Sequence, residues 1–594
     1  MNLSFLRRAG LLSAIGATLI GLASCININE ELGENLIPTH HQWDVYPSVE
    51  APLTDIVLKA SDSLSAYSTR RITFGAINDD VLGSCVKSTS FTLVPIIKDL
   101  DLGENTVVKQ FHFSAVRDTL STVYDQQQRM MQNIYVYSLK EALDSTILYT
   151  NSLSPGVLTE DKSTTNREKF LNLDRLIAKG IPVYNGSDSL SFDFTDEFTA
   201  ELVAGVKAYH KGVVEQQDTL LSSYLEHVPG IYIEAETPQG YGGRINMFDL
   251  ALEFDSNGYI AGNYAELKIT ADYDDRKQVD TSFIFIFGPS DFIPTGSTTV
   301  PTQYAFNGST HASDALYTEG VPATDKILVE GGCGVKPVIT AAGIKAIVHE
   351  LIQDVGITNS REVVINKATI KLPYDVKGDW GKLDKYPTIL SPTVRLRGSV
   401  EDGGKYVSYA GLTDASIESE NQGDINRSLS LYSPDISHHV QEILKLEKEN
   451  GESDADFKAR LAKYDIWMLI MHEEITVTTS AGGSNNDYYN NLLYNSYYNN
   501  MMYDPYGYGY GYGGYGYGYG GYGGYGYGGY GSNYYNYMMM ASYMNSGSNS
   551  SESISIDLDK DRYYNCTLAG PSATEVKPTL KITFSAPKTA EKTE

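Results

Sequence analysis

Between Ala481 and Ser550 the composition collapses to Tyr, Gly, Asn, Met and Ser, and from Tyr506 to Gly531 it reads YGYGYGYGGYGYGYGGYGGYGYGGYG. Twenty-one of the 45 tyrosines fall in this window, and Asp487 and Asp504 are its only charges. Glycine at this density raises the entropy cost of ordering and leaves nothing to pack, so a fixed fold is not expected here. Strand-like segments stand on both sides, Ile466 to Met471 before it and Ser553 to Leu558 and Thr579 to Phe584 after it. The tract therefore reads as a long loop extruded from a domain. Two readings of it stand side by side: an expansion tolerated at a loop tip, or an adhesive aromatic surface, because Tyr offers contact area at low entropy cost.

Elsewhere strand signals dominate. Ile56-Val57-Leu58, Arg71-Ile72-Thr73-Phe74, Phe91-Thr92-Leu93-Val94 and Ile134-Tyr135-Val136-Tyr137 are short, rich in β-branched and aromatic residues, and bounded by turn formers. Ile231 to Ile233, Ile245 to Phe254, Ala265 to Tyr273, Lys326 to Val329 and Val363 to Leu372 continue the series, and Phe283 to Phe287 reads as a buried strand. Asp255-Ser256-Asn257-Gly258 is a turn; it lacks the oxygen ligands of a calcium loop. Helical spacing appears at Asp196 to Val206 and Asp218 to Glu226. Two further helices are expected: Ala341 to Val355, capped by Thr340 and closed by Gly356, and one opening at Ser433-Pro434-Asp435 and running to Gly451.

The start of the chain carries an address. Arg7 and Arg8 precede an apolar run from Ala9 to Ala23, and Leu22-Ala23-Ser24-Cys25 follows the pattern of a bacterial lipobox. The run is shorter than the ~20 residues of a membrane span, so Cys25 is expected to be diacylated and to become the first residue of the mature chain, with residues 25–42 as a lipidated tether. Loss of Arg7 and Arg8 takes the net charge from −28 to −30. That charge disfavours nucleic acid and anionic headgroups as electrostatic partners. Of the other cysteines, Cys85, Cys333 and Cys566 allow at most one disulfide, of undetermined pairing, and read as structural.

Catalytic constellations are scarce. No GxSxG elbow, Walker loop or HExxH helix occurs. His349-Glu350 and His472-Glu473 lack a second His one turn on, and His438-His439 are adjacent on a helix and point apart. Asp272, Asp274 and Asp275 end a strand, where solvated turn carboxylates are the simpler reading than a glycosidase pair. Trp467 sits in an apolar run and reads as core, whereas Trp380, between Asp379 and Gly381, is the candidate surface aromatic.

Glu31-Leu32-Gly33-Glu34-Asn35-Leu36-Ile37-Pro38, just after the lipobox, resembles the opening of a Bacteroidota lipoprotein family defined by domain of unknown function 4270. NDDVLG around Gly83, Gly230 to Ile233, Gly331 to Gly334, Ile365-Asn366-Lys367-Ala368 and Pro578 to Thr583 match further, in order, over nearly the whole mature chain except the Tyr/Gly tract. The resemblance implies an outer-membrane lipoprotein and carries over no catalytic residue. The strand with Asn366-Lys367-Ala368 also resembles secreted jelly-roll modules related to carbohydrate-binding domains, which is fold analogy only.

The expectation is a mainly β protein of two jelly-roll-like sandwich blocks with a few inserted helices. The N-terminal block spans 43–290 with a helical insert at about 155–228, a linker covers 291–323, and the C-terminal block spans 324–594, interrupted at about 481–550. The expected function is non-enzymatic, a lipid-anchored outer-membrane component for envelope binding or assembly, without cofactor or metal. Surface exposure is preferred over the periplasmic face because Glu30 and Glu31, although they come only after Ile26-Asn27-Ile28-Asn29, resemble the acidic surface-export signal of Bacteroidota lipoproteins. Partners would be an outer-membrane β-barrel protein or envelope polysaccharide; the rival readings are a glycan-binding module and, behind it, a glycoside hydrolase.

Overall fold

The computed structural model describes residues 43–588 apart from 62–63, 97–99, 119–129, 144–168, 215–221, 255–259, 274–275, 290–300, 358, 375, 377, 379, 398–406, 413, 415–422 and 480–549. Cys25 and its tether, Asp274, Asp275, the Asp255–Gly258 turn and the Tyr/Gly tract lie outside the described residues. The chain is mainly β, and every strand pairing is antiparallel. Two large hydrophobic cores organise it into two sandwich-like blocks.

The first block sets a nine-stranded sheet against a five-stranded one. In the larger sheet, Gly83–Phe91 is flanked by Ile231–Ala235, Arg71–Asp79 and Ala305–His311. In the smaller one, Glu104–Val116 lies between Ser189–Asp193 and Tyr264–Tyr273, which pairs with Arg276–Phe287. Alternation along these strands sends Phe111, Phe113, Phe192, Phe285 and Phe287 inward. Phe111 stacks on Phe194 at 4.6 Å and Phe113 on Phe192 at 4.7 Å, each pair adding about 0.5–1.5 kcal/mol beyond its buried area. The helix Asp196–Val214 covers this core with Phe198, Leu202, Val206 and Tyr209. It runs beyond the expected Val206.

The second block recruits the start of the described chain. Trp43–Pro52 pairs with Thr579–Pro587, and Ile56–Ala60 pairs with Val335–Ile339. Residues 43–60 thus pack with strands hundreds of positions away, because Leu53, Ile56 and Leu58 complete the core formed by Ile339, Ile370, Ile466 and Leu580. The stretch 291–323 also differs from a linker. It contains Ala305–His311, a strand paired along Gly83–Phe91, whose polar sequence (AFNGSTH) hides it because part of it faces a polar seam.

The helix Ala341–Asp354 forms as its sequence dictates: the Thr340 hydroxyl accepts from Gly343 N at 3.0 Å, and Gly356 takes φ +81° past its end. The next helix departs from expectation. It spans Ser437–Lys445, because the Pro434 carbonyl is held by Ile370 N and the helix start is capped by Asp414, which accepts from the amides of His438 and His439. Among the described residues no helix is long and apolar enough to cross a membrane.

Candidate functional site

The most concentrated chemistry lies buried where the two blocks meet. Antiparallel register sets Cys85 opposite His311 and Lys87 opposite Ser309. Period-two alternation then places each of these residues on the same side as its neighbour two positions along. From the second block, Lys326–Glu330 ends on Glu330, and the Gly331-Gly332-Cys333-Gly334 turn follows. His311 Nδ1 lies 2.7 Å from a Glu330 carboxylate oxygen, and His311 Nε2 lies 2.7 Å from Ser309 Oγ. The Ser313 hydroxyl donates to the other Glu330 oxygen at 2.6 Å. Burial opposes charge on His311, but the Cys85 sulfur and the Glu330 carboxylate outweigh it and hold the imidazole well above its ordinary range. Burial likewise raises Glu330, yet His311 and Ser313 bring it below the usual carboxylate value. The pair is therefore a buried imidazolium and carboxylate.

The glycine turn makes room for this pair. A Cβ on Gly334 would stand 2.3 Å from a Glu330 oxygen, so the carboxylate occupies the space a side chain would need. Gly332 adopts φ +60° beside His311 Nε2 and Lys87 Nζ. Lys336 donates to the carbonyls of Glu330, Gly332 and Gly334, and Lys87 to those of Lys560 and Asp561 at 2.7 and 2.6 Å. A second buried network continues the seam. Arg71 meets Asp118 at 2.8 Å, Arg562 lies 3.4 Å from Asp559, and Arg562 Nη2 is 3.1 Å from His472 Nδ1. Burial raises Asp559, but Arg562 and its neighbours pull it down to about 2, whereas burial and Arg562 together lower His472 to about 4.

Ser309, His311 and Glu330 have the hydrogen-bond order of a nucleophile, a base and its orienting carboxylate. The void beside Ser309, between Lys87, Cys333 and Asp561, holds ≈ 20 Å³. That accommodates one water, against the several hundred Å³ of ligand pockets. The arrangement is closed to an acyl substrate in this conformation.

The other sequence candidates fall apart in space. Asp272 accepts from Asn105 and from Gln278 N, securing its own hairpin. Trp380 is 59% exposed at the start of the short helix Trp380–Lys385. Trp467 is core, beside Tyr409 and under Arg395. His439 is buried on Tyr464 O while His438 faces outward, so the two do not converge. Cys85, Cys333 and Cys566 are all buried and form no disulfide, which settles the pairing left open by their number. Cys85 belongs to the charged cluster, a role the sequence reading did not give it. The available signal was Glu330 and Lys336 embedded in apolar strands on either side of four residues that include three glycines.

A groove of ≈ 670 Å³ opens where the first and last strands meet, lined by Trp43, Val364, Asp414, His438 and Pro587 among others. Its polar wall is already committed: Arg361 pairs with Glu447, and Asp414 caps a helix. Searches of family models, curated proteins and solved structures return no match to this chain.

Proposed function

We propose that this chain is a non-enzymatic, lipid-anchored component of the bacterial outer envelope, of the family it resembles, and that it works by binding. Cys25 is the anchor, and the Tyr/Gly segment is the contact surface. The observation that carries the reading is the hairpin formed by Ile466–Thr479 and Ser550–Leu558. Its register runs without a break from Met471 opposite Leu558 to Thr479 opposite Ser550. The 70 residues between Thr479 and Ser550 therefore leave and rejoin the body at one hairpin tip. A segment that dense in Tyr provides aromatic contact area while the folded body stays rigid beneath it.

The anchor fits the same picture. The tether ends at Trp43, the head of a strand that closes the second block, so a fully extended tether keeps the body within about 60 Å of the acylated residue. An outer-membrane β-barrel protein is the proposed partner, because a short lipid tether holds the body beside proteins of the same membrane. Binding of envelope polysaccharide is the second reading, favoured by the Trp43 groove, whose aromatic lip suits a sugar ring.

Cell fractionation and protease shaving test the proposal. A Cys25→Ser chain should be folded and soluble while the native chain sediments with outer membranes. Shaving of intact cells should release Tyr/Gly peptides. A Cys25→Ser chain that still sediments with the membrane overturns the lipid anchor; a tract cleaved only after lysis overturns surface display.

A further inference from the structure

We propose that Cys85, His311 and Glu330 form a buried site for a divalent transition metal of the zinc class, captured as the two blocks close on each other. One ligand atom from each residue lies within 4.8 Å of the others, and all three residues are buried. They come from three strands of distant sequence, Gly83–Phe91, Ala305–His311 and Lys326–Glu330. A thiolate, an imidazole and a carboxylate together suit zinc, whereas magnesium and calcium require oxygen donors alone.

The surroundings match a built site. Ser309 on His311 and Ser313 on Glu330 hold the two ligands from outside, the usual arrangement around metal-bound His and carboxylate. Gly332 and Gly334 clear the space above them. The neighbouring ammonium groups of Lys336 and Lys87 are turned onto backbone carbonyls.

Two ligands of one tetrahedral zinc stand about 3.3 Å apart, so the 2.7 Å contact of His311 with Glu330 is replaced by two metal bonds on loading. The fourth position falls to a water or a hydroxyl.

The test uses the tag-free full chain, because an affinity tag binds zinc itself. Purified from zinc-supplemented cells, it should carry about one zinc per chain by elemental analysis. Refolding in cobalt should give a thiolate-to-cobalt charge-transfer band in the near ultraviolet. Cys85→Ser and His311→Gln should each lose about nine-tenths of the metal, and Cys566→Ser, whose thiol lies outside the cluster, should keep it. A wild-type chain that refolds in zinc yet contains none overturns the proposal, as does a cobalt form without thiolate character or a band that survives in Cys85→Ser. The wild-type cobalt spectrum decides alone if the variants fail to fold.

Discussion

His472 gives a stability signature that acid titration can read. Its ring is partly buried in the second seam network, where it accepts from Arg562 and is faced by Asp559, Arg71 and Arg70. Burial first, and the Arg562 guanidinium second, lower it from 6.5 to about 4. The unfolded chain therefore takes up a proton on this residue before the folded one does. Stability from this group is complete above pH 6.5 and is lost as pH falls toward 4, after which the loss levels off. At 1.36 kcal/mol per unit the displacement corresponds to about 2–3 kcal/mol after allowance for partial exposure. His472→Gln keeps an acceptor for Arg562 but cannot titrate. Urea unfolding of both chains at pH 7.5 and pH 4.5 isolates the effect, since titrations remote from His472 cancel in the difference and Asp559, which His472 helps to lower, titrates below this interval. The native chain should lose about 2 kcal/mol more than the variant over that interval, which stops half a pH unit short of the full displacement. Parallel loss in the two chains would refute the reasoning. Asp559, held at about 2 by Arg562 against the opposing effect of burial, has a separate window: its contribution is present above pH 3.8 and disappears as pH falls through 2.

Three further outcomes are expected. Gly75→Ala should destabilise the first block by about 1–3 kcal/mol in thermal or urea unfolding, because a Cβ there would stand 2.2 Å from Arg244 O at φ +146°. Tyr224→Phe should cost about 1–2 kcal/mol, since the buried Tyr224 hydroxyl donates to Leu93 O at 2.6 Å; an unchanged unfolding midpoint would show that the bond contributes nothing. Replacing residues 480–549 by a four-residue turn should raise stability by about 2–3 kcal/mol through the lower entropy of loop closure, and a falling midpoint would show that the tract supports the fold.

The sequence made local structure legible where local chemistry decides it. Thr340 and Gly356 bracket a helix because a side-chain cap and a positive-φ residue act on their own neighbours. The helix after Pro434 starts later than its local signals predict, because its cap is Asp414, more than twenty residues upstream. Ala305–His311 carries no strand signal of its own because Ser309 and His311 face a polar seam, so the strand lacks apolar alternation. The union of Cys85, His311 and Glu330 was invisible for a related reason: sheet register and block docking create it, and no sequence spacing encodes either. Only the glycine-rich turn between Glu330 and Lys336 pointed there, since charges set in apolar strands require buried partners.

Binding through the Tyr/Gly segment is tested most directly by capturing the full chain and a chain lacking 481–549 from detergent-solubilised outer membranes. Both chains should remain lipid-anchored and folded. An outer-membrane β-barrel partner should co-purify with the full chain and be lost with the deleted one. Equal recovery of that partner with both chains would contradict a contact role for the segment.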